Sequence, residues 1–153
     1  MLLTLVPGDG FIPAAGLILD STGNLYGTTT FGGSGGGGTV FELSPIGNSW
    51  TETILDNFQF SFLRPKNPYS TLVFDTAGNL YGSTIFGGIG GVVFELKPSG
   101  TGKWTETDLY VFDSTHGAEP GIGALVLDSS GNVYGAAQAG GANKNGVVFK
   151  ITP

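Results

Sequence analysis

Short apolar runs that alternate with polar residues, separated by glycine-rich turns, make up most of the chain. The run TVFEL (39–43) points successive side chains to opposite faces of a strand, and WTET (50–53) sets its threonines and glutamate on opposite faces. Two further apolar runs, at 17–19 and 24–29, are rich in β-branched and aromatic residues. No window carries an apolar stripe of helical period, so the pattern predicts an all-β protein of short strands.

The same pattern occurs three times along the chain. DSTGNLYGTTTFGG (20–33) returns as DTAGNLYGSTIFGG (75–88) and as DSSGNVYGAAQAGG (128–141). TVFELSP, VVFELKP and VVFKITP also match one another, as do WTETILDNF and WTETDLYVF. Four strands in a period of roughly 50 residues are typical of a β-propeller blade. We therefore predict one repeat domain over 1–153, with units of about 9–60, 61–112 and 113–153 and with 1–8 as a strand that completes the last blade.

The D-x-x-G-N string predicts a tight turn between the first two strands of each unit. Its aspartate is expected to accept hydrogen bonds from backbone N–H groups two and three residues further on, and its glycine supplies a positive φ. A calcium loop would need several oxygen ligands, whereas each string carries one carboxylate. The turn interpretation is therefore preferred to a metal site, and no metal and no cofactor is predicted. The following tyrosines are expected to pack between neighbouring sheets: Tyr26, Tyr81 and Tyr134.

Composition excludes several classes of function. The 153 residues include 28 glycines and no cysteine, 40% are hydrophobic, and the formal net charge is −6, so the chain is neither disordered nor disulfide-linked. Its six basic residues are scattered, which argues against nucleic-acid binding. No apolar run approaches the length of a membrane-spanning helix, roughly 18 residues or more, so no membrane span is expected. The first residues, MLLTLVPGDGF, lack the basic region of a signal peptide.

The repeated motifs resemble the GloVer tandem repeat of bacterial proteins with varied C-terminal anchors. The closest copy is DGFIPAAGLILDSTGNLYGTTTFGG (9–33) followed by GTVFEL (38–43), and HGAEPGIGALVLDSSGNVYGAAQAGG (116–141) followed by GVVFKI is looser. The middle copy has RPKNPYSTLVFD where the family pattern is D-G-A-x-P. The resemblance implies a β-propeller-like protein that is secreted or held at the bacterial surface. It implies no activity and carries over no catalytic residue.

Three blades are too few for a propeller ring, which typically has four to eight. The third unit lacks a WTET strand, while MLLTLVPGDGFIP (1–13) matches the end of a fourth strand and the connection after it. We therefore predict a homodimer closed as a six-bladed ring by exchange of its N-terminal strands, with twice the 15.7 kDa mass of one chain. The alternative is a fragment of a longer single-chain propeller.

The loops after strand four and after strand two are expected at one end of the blades and the D-x-x-G-N turns at the other. The loops differ among the copies, and such divergence favours ligand binding. The ligand-binding candidates at this end are Asp9, Phe60, Phe62, Arg64, Lys66, Asp113, His116, Glu119, Asn143 and Lys144. The two tryptophans are expected to pack between blades, and the strand glutamates to face solvent: Glu42, Glu52, Glu95 and Glu106.

The sequence favours an extracellular or surface binding module, with a glycan as the ligand and no enzymatic activity required. The alternative is a hydrolase resembling glycosidases, with Asp9, His116 and Glu119 as the catalytic candidates, because paired carboxylates are the groups that such chemistry uses. A third hypothesis is a purely structural repeat. The identity of the ligand, and whether any catalysis occurs, stay open at this point.

Overall fold

A computed structural model of the chain describes residues 3–6, 8–61 and 66–153, and of Lys66 only the backbone. The described residues form three small antiparallel sheets. Sheet 1 has the order β1 (Ile18–Leu19), β2 (Leu25–Thr29), β3 (Gly36–Ile46), β4 (Ser49–Gln59). The all-β prediction is confirmed.

Sheet 2 repeats this arrangement with one added strand. β6 (Val73–Phe74), β7 (Leu80–Phe86), β8 (Val92–Ser99) and β9 (Lys103–Val111) follow the order of sheet 1, and β5 (Lys66–Pro68) pairs with β7 beside β6. The added strand comes from the connection that follows sheet 1, so it ties the first two sheets together.

Sheet 3 has three strands, in the order β10 (Val126–Leu127), β11 (Val133–Ala137) and β12 (Val147–Ile151). A single 3₁₀ turn, Pro120–Ile122, precedes it. Within the described ranges, β12 is paired with β11 alone, and none of the three sheets closes on itself. The division into propeller blades and their closure into a ring stay predictions. The described residues contain no helix long and apolar enough to cross a membrane.

Two apolar cores lie where one sheet packs on the next. The core between sheets 1 and 2 contains Tyr26, Val40, Leu55, Phe58, Leu72, Leu80, Phe94 and Leu96, with Trp104 against it. The core between sheets 2 and 3 contains Tyr81, Val93, Phe112, Leu125, Val133 and Ala137, with Phe149 against it. The expected packing between sheets is thereby confirmed for Tyr26, Tyr81 and Trp104. Tyr134 and Trp50 belong to neither core. Burial of these side chains is the main favourable term that holds the sheets face to face.

The glycine after each repeat tyrosine is required by the packing within its own sheet. In sheet 2, a Cβ on Gly82 would lie 2.5 Å from Cζ of Phe94 and 2.9 Å from Cδ2 of Leu72. Gly27 lies under Phe41 and Gly135 under Phe149 in the same way. The Y-G pair of each repeat therefore leaves space for a phenylalanine ring from the neighbouring strand.

The prediction that the strand glutamates face solvent is wrong. Glu95 is 3% exposed, and its carboxylate has two partners: the Tyr81 hydroxyl donates to its Oε1 at 2.6 Å, and the Lys97 ammonium lies 2.9 Å from its Oε2. Glu42, Glu52 and Glu106 are half-buried. Charged groups are buried in this way where partners in the fold replace water.

Candidate functional site

The three D-x-x-G-N turns share one hydrogen-bond network. Asp75 Oδ1 accepts from the backbone N–H groups of Ala77 and Asn79, both at 2.8 Å, and Asp75 Oδ2 accepts from Asn79 Nδ2 at 2.7 Å. The Tyr81 hydroxyl, which donates its proton to Glu95 Oε1 at 2.6 Å, lies 3.3 Å from the same Oδ2. The second backbone donor thus lies four residues on, where the sequence predicted three. The carboxylate is fully used in closing the turn.

The same contacts recur at the other two aspartates. Asp20 is bonded by Thr22, Asn24 and Tyr26, and Asp128 by Ser130, Asn132 and Tyr134. Burial raises the pKa of Asp20, but hydrogen bonds from Asn24 and Thr22 outweigh it and lower the pKa to about 2. Hydrogen bonds from Asn132 lower the pKa of Asp128 to about 2 as well. The interpretation of this string as scaffold is supported, because these carboxylates stabilise their own turns.

The turns of neighbouring repeats lie side by side at one end of the sheets. A cleft of about 410 Å³ is lined by the turns that contain Asp20 and Asp75, and a second of about 390 Å³ by those that contain Asp75 and Asp128. The described residues contain no group of three histidine, cysteine, aspartate or glutamate side chains that could hold a metal ion.

The divergent loops meet at the opposite end, which we call the loop end: residues 8–13, 30–36, 60–61, 87–91, 112–120 and 138–146. Phe11 N–H donates to the Phe31 carbonyl at 2.8 Å, and Ala118 N–H to the Ala139 carbonyl at 2.8 Å. Phe112 N–H donates to the Gly91 carbonyl at 2.9 Å. These bonds join loops that follow strand four to loops that follow strand two, as the sequence predicted.

Asp113 and His116 form a pair at the loop end beside sheet 3. Asp113 Oδ1 accepts from the backbone N–H of His116 at 2.8 Å, and Asp113 Oδ2 lies 2.8 Å from His116 Nδ1. The backbone bond, followed by the side-chain bond, lowers the pKa of Asp113. Both side chains are exposed, and Gly141 N–H donates to the Ser114 carbonyl, which brings the loop of Asn143 and Lys144 alongside. Four predicted ligand-binding residues thus lie on adjacent loops.

The three catalytic candidates belong to different parts of the loop end. Asp9 accepts a hydrogen bond from the Val6 N–H at 2.9 Å through its Oδ2, and its carbonyl accepts from Thr39 Oγ1 at 2.9 Å. Glu119 donates its N–H to the Gly90 carbonyl at 2.7 Å, and its carboxylate accepts from Gln138 Nε2. Asp9 thus contacts sheet 1 and its N-terminal segment, whereas Glu119 links the loops of sheets 2 and 3. No contact of the described residues joins Asp9 to His116 or Glu119.

Of the aromatic and basic candidates after strand four, the structure describes one side chain. Phe60 is 67% exposed, and its N–H donates to the Gly35 carbonyl at 2.9 Å. Phe62, Arg64 and the side chain of Lys66 lie outside the described residues, so their predicted role in binding stays a prediction.

Two carboxyl groups that the sequence analysis did not select have raised pKa values. Burial, with the negative charge of Asp9 and a hydrogen bond to it, raises the pKa of Glu52 to about 7, and Glu52 Oε1 is buried without a hydrogen-bond partner. Burial also raises the pKa of Asp56, whose Oδ2 has no partner. Glu52 lies two residues after Trp50 on β4, so the two side chains lie on the same face of the strand. This spacing is the signal in the sequence from which the burial of Glu52 could have been predicted.

Exposed phenylalanine rings lie at the loop end and at the adjoining end of β7. Phe11 is 55% exposed, Phe60 67% and Phe86 51%. The rings of Phe11 and Phe31 are stacked with centroids 5.7 Å apart and planes 19° from parallel. Apolar rings exposed together on one side of a protein mark an interaction surface. Sequence reasoning selected Phe60, but it missed Phe11.

Comparison with known proteins supports the resemblance drawn from the motifs. A protein-family model described as the Gloeobacter/Verrucomicrobia repeat matches residues 1–153. A search of curated proteins finds no match to the chain.

Proposed function

Because the chain belongs to the Gloeobacter/Verrucomicrobia repeat family, whose model covers all of it, we propose that it is a propeller-like binding module and that its loop end binds carbohydrate. The observation that carries the proposal is the exposure of three phenylalanine rings, two on loops of the loop end and one at the adjoining end of β7: Phe11, Phe60 and Phe86. Such rings stack against the apolar faces of sugar rings.

The polar groups of the same end suit a sugar ligand. The bond between Asp113 Oδ2 and His116 Nδ1 holds the Asp113 carboxylate and the His116 ring at a fixed separation, and Lys144 and Asn143 lie on the adjacent loop. A carbohydrate site needs a few oriented hydrogen-bonding groups at the edge of an apolar surface. Phe62, Arg64 and Lys66 belong to the proposed site by their position in the chain.

The proposal extends to the assembly and its place in the cell. Two copies form a ring of six sheets, and the protein is secreted or held at the bacterial surface, where glycans are met. The alternative hydrolase has less support, because the contacts of Asp9 and Glu119 lie in different loop pairs. Turnover of chromogenic glycosides that is lost in Asp9→Asn or Glu119→Gln, with unchanged melting temperature, would favour the hydrolase.

Calorimetric titration with a panel of neutral and acidic oligosaccharides tests the binding function. We expect saturable binding that Phe60→Ala weakens about tenfold, which corresponds to about 1.4 kcal/mol. Leu19→Ala is the matched control, because Leu19 is 64% exposed but lies beside the Asp20 turn at the opposite end. Absence of binding across the panel, or equal affinity of the two variants, would contradict the proposal.

A further inference from the structure

One valine position of the repeat is covered in two sheets and uncovered in the third. Val40, Val93 and Val148 occupy the same register position, opposite Thr28, Ser83 and Ala136. Val40 and Val93 are 0% exposed because the next sheet covers them, whereas Val148 is 86% exposed. Val126, Tyr134, Val148 and Lys150 lie on this side of sheet 3, which we call the tail face.

Sheet 1 has the complementary uncovered side. Leu17, Leu72 and Leu125 are equivalent in the repeat, and Leu72 and Leu125 are 3% and 4% exposed under the preceding sheet, whereas Leu17 is 49% exposed. Leu17 shares a cavity of about 420 Å³ with Leu25, Phe41, Leu43 and Trp50, and we call this side of sheet 1 the head face. Within the chain, the side of sheet 1 that corresponds to the tail face packs on the side of sheet 2 that corresponds to the head face. Sheet 2 packs on sheet 3 in the same way.

Residues 3–6 contact the head face as the end of β9 contacts sheet 3. Tyr110 of β9 and Phe112, which follows β9, share a cavity with Phe149 and Ile151. Leu3 and Leu5 share the 420 Å³ cavity with Phe41 and Leu43, which are the equivalents of Phe149 and Ile151 in sheet 1. Residues 3–6 therefore occupy the place of a fourth strand that belongs to a sheet before sheet 1.

Sheet 3 of a second copy fits the place of the sheet before sheet 1, because it lacks a fourth strand. One edge of its β12 has no strand partner among the described residues. In sheet 2 the corresponding edge, that of β8, is paired with β9, and Val93 lies opposite Tyr110. Leu5 stands eight residues before Pro13, as Phe112 stands before Pro120. This spacing makes Leu3 the equivalent of Tyr110, so a strand formed by the N-terminal segment would bring Leu3 opposite Val148.

The charges of the two faces are complementary. Lys150 stands at the register position of Glu42 and Glu95, so the tail face carries a cation where the two internal faces carry carboxylates. Glu52 lies beside Leu43 on the head face, and its Oε1 has no hydrogen-bond partner. A contact between the two faces would bring the Lys150 ammonium to the side of sheet 1 that holds Glu52, whose Oε1 has no hydrogen-bond partner.

We propose that two copies of this chain associate head to tail, with the tail face of each copy packed on the head face of the other and residues 3–6 of each paired along β12 of the other. The contact repeats the packing found twice within one chain, and using it twice closes the pair when the six sheets complete one full turn. It also covers an open strand edge of β12, the kind of edge along which a strand of another chain can pair. The inference concerns the faces of sheets 1 and 3, and it stands whether or not the loop end binds sugar.

Paired cysteines test the predicted register in a chain that has no cysteine of its own. Under mild oxidation, Leu3→Cys/Val148→Cys is expected to run as a covalent dimer on a non-reducing gel, because cross-strand neighbours lie within disulfide reach. The matched control is Leu3→Cys/Val126→Cys. Val126 is on the same face and also exposed, but it lies on β10, two strands or roughly 10 Å away from β12. We expect this control to remain uncrosslinked.

Light scattering on a sizing column gives the second readout. The wild-type protein is expected at twice the 15.7 kDa mass of one chain, and Val148→Lys at the mass of a single chain. Ile89→Lys is the control, because Ile89 is 81% exposed at the loop end and its replacement should leave the mass unchanged. The wide exposure of Val148 means that its replacement should not disturb the fold of the single chain, which circular dichroism checks.

Each alternative outcome contradicts the proposal. A wild-type monomer would mean that another occupant, such as a further repeat of a longer chain, covers these faces. A ladder of longer crosslinked polymers would contradict the closed pair. A dimer in which positions 126 and 148 crosslink equally, or in which neither does, would place the contact elsewhere. None of these measurements uses a sugar, so failure of the dimer and failure of carbohydrate binding are separable.

Discussion

At the scale of single residues, the repeat aspartates stabilise three equivalent turns. Asp75 accepts two backbone hydrogen bonds and one from the Asn79 amide, and the nearby Tyr81 side chain belongs to the core between sheets 2 and 3. Removal of the carboxylate leaves several donors without an acceptor, and this penalty exceeds the value of an exposed hydrogen bond.

Asp75→Ala is therefore expected to lower the free energy of unfolding by about 2 kcal/mol, since two backbone donors and the Asn79 amide lose a charged acceptor. Urea unfolding monitored by tryptophan fluorescence measures the change. The control is Asp108→Ala, at an exposed position of β9, where less than about 0.5 kcal/mol is expected. Equal effects of the two substitutions would show that the turn network does not contribute to stability.

The same carboxylates predict loss of stability in acid. Their pKa values in the folded chain are lowered, to about 2 for Asp20 and Asp128, from an ordinary value near 3.9 in the unfolded chain. A lowered pKa contributes stability that is complete above the unfolded value and is lost as the pH falls through the folded value. The melting temperature of the protein should thus decrease as the pH falls from about 4 to about 2, because the turns lose their contribution to stability. A melting temperature that is flat across this window would contradict the assignment.

At the scale of the elements, close packing of β7 against β8 depends on Gly82. The Phe94 ring and the Leu72 side chain occupy the space that a Cβ would need. Gly82→Ala is expected to cost about 1–3 kcal/mol of unfolding free energy, because the core is already filled. Gly100→Ala is the control, since a Cβ there meets no atom within 4 Å. Similar midpoints of urea unfolding for the two variants would be inconsistent with this packing.

How much of each element could be predicted depends on whether its cause is local. The turns were predicted from D-x-x-G-N because the hydrogen bonds join residues that are close together in the chain. The burial of Glu95 was not predicted, because it depends on Tyr81 of the neighbouring strand and on Lys97. The pairing of Asp113 with His116 joins residues three apart, so its cause is local, and the sequence analysis selected both residues without predicting the bond between them.

At the scale of the whole molecule, the N-terminal segment should decide the oligomeric state. Deletion of residues 1–6 removes Leu3 and Leu5 from the head face and the proposed fourth strand from β12 of the second copy. We expect the mass in solution to fall from that of two 15.7 kDa chains to that of one shortened chain. Circular dichroism should still report β structure, because the two cores between the sheets contain no residue of the deleted segment. A dimer that survives the deletion would show that the faces associate without strand exchange.

The sequence by itself determined the strands, the turns and their threefold recurrence, because alternation of side chains and turn chemistry act over a few residues. It also indicated the family, and the comparison confirmed it. The tertiary structure decided which side of each sheet is covered: Val148 and Val40 have the same local pattern, but only the packing of a neighbouring sheet separates 86% exposure from 0%. It likewise decided which carboxyl groups are buried and that Asp9 and Glu119 lie in different loop pairs. These properties depend on contacts between residues far apart in the chain, and a local pattern carries no record of them.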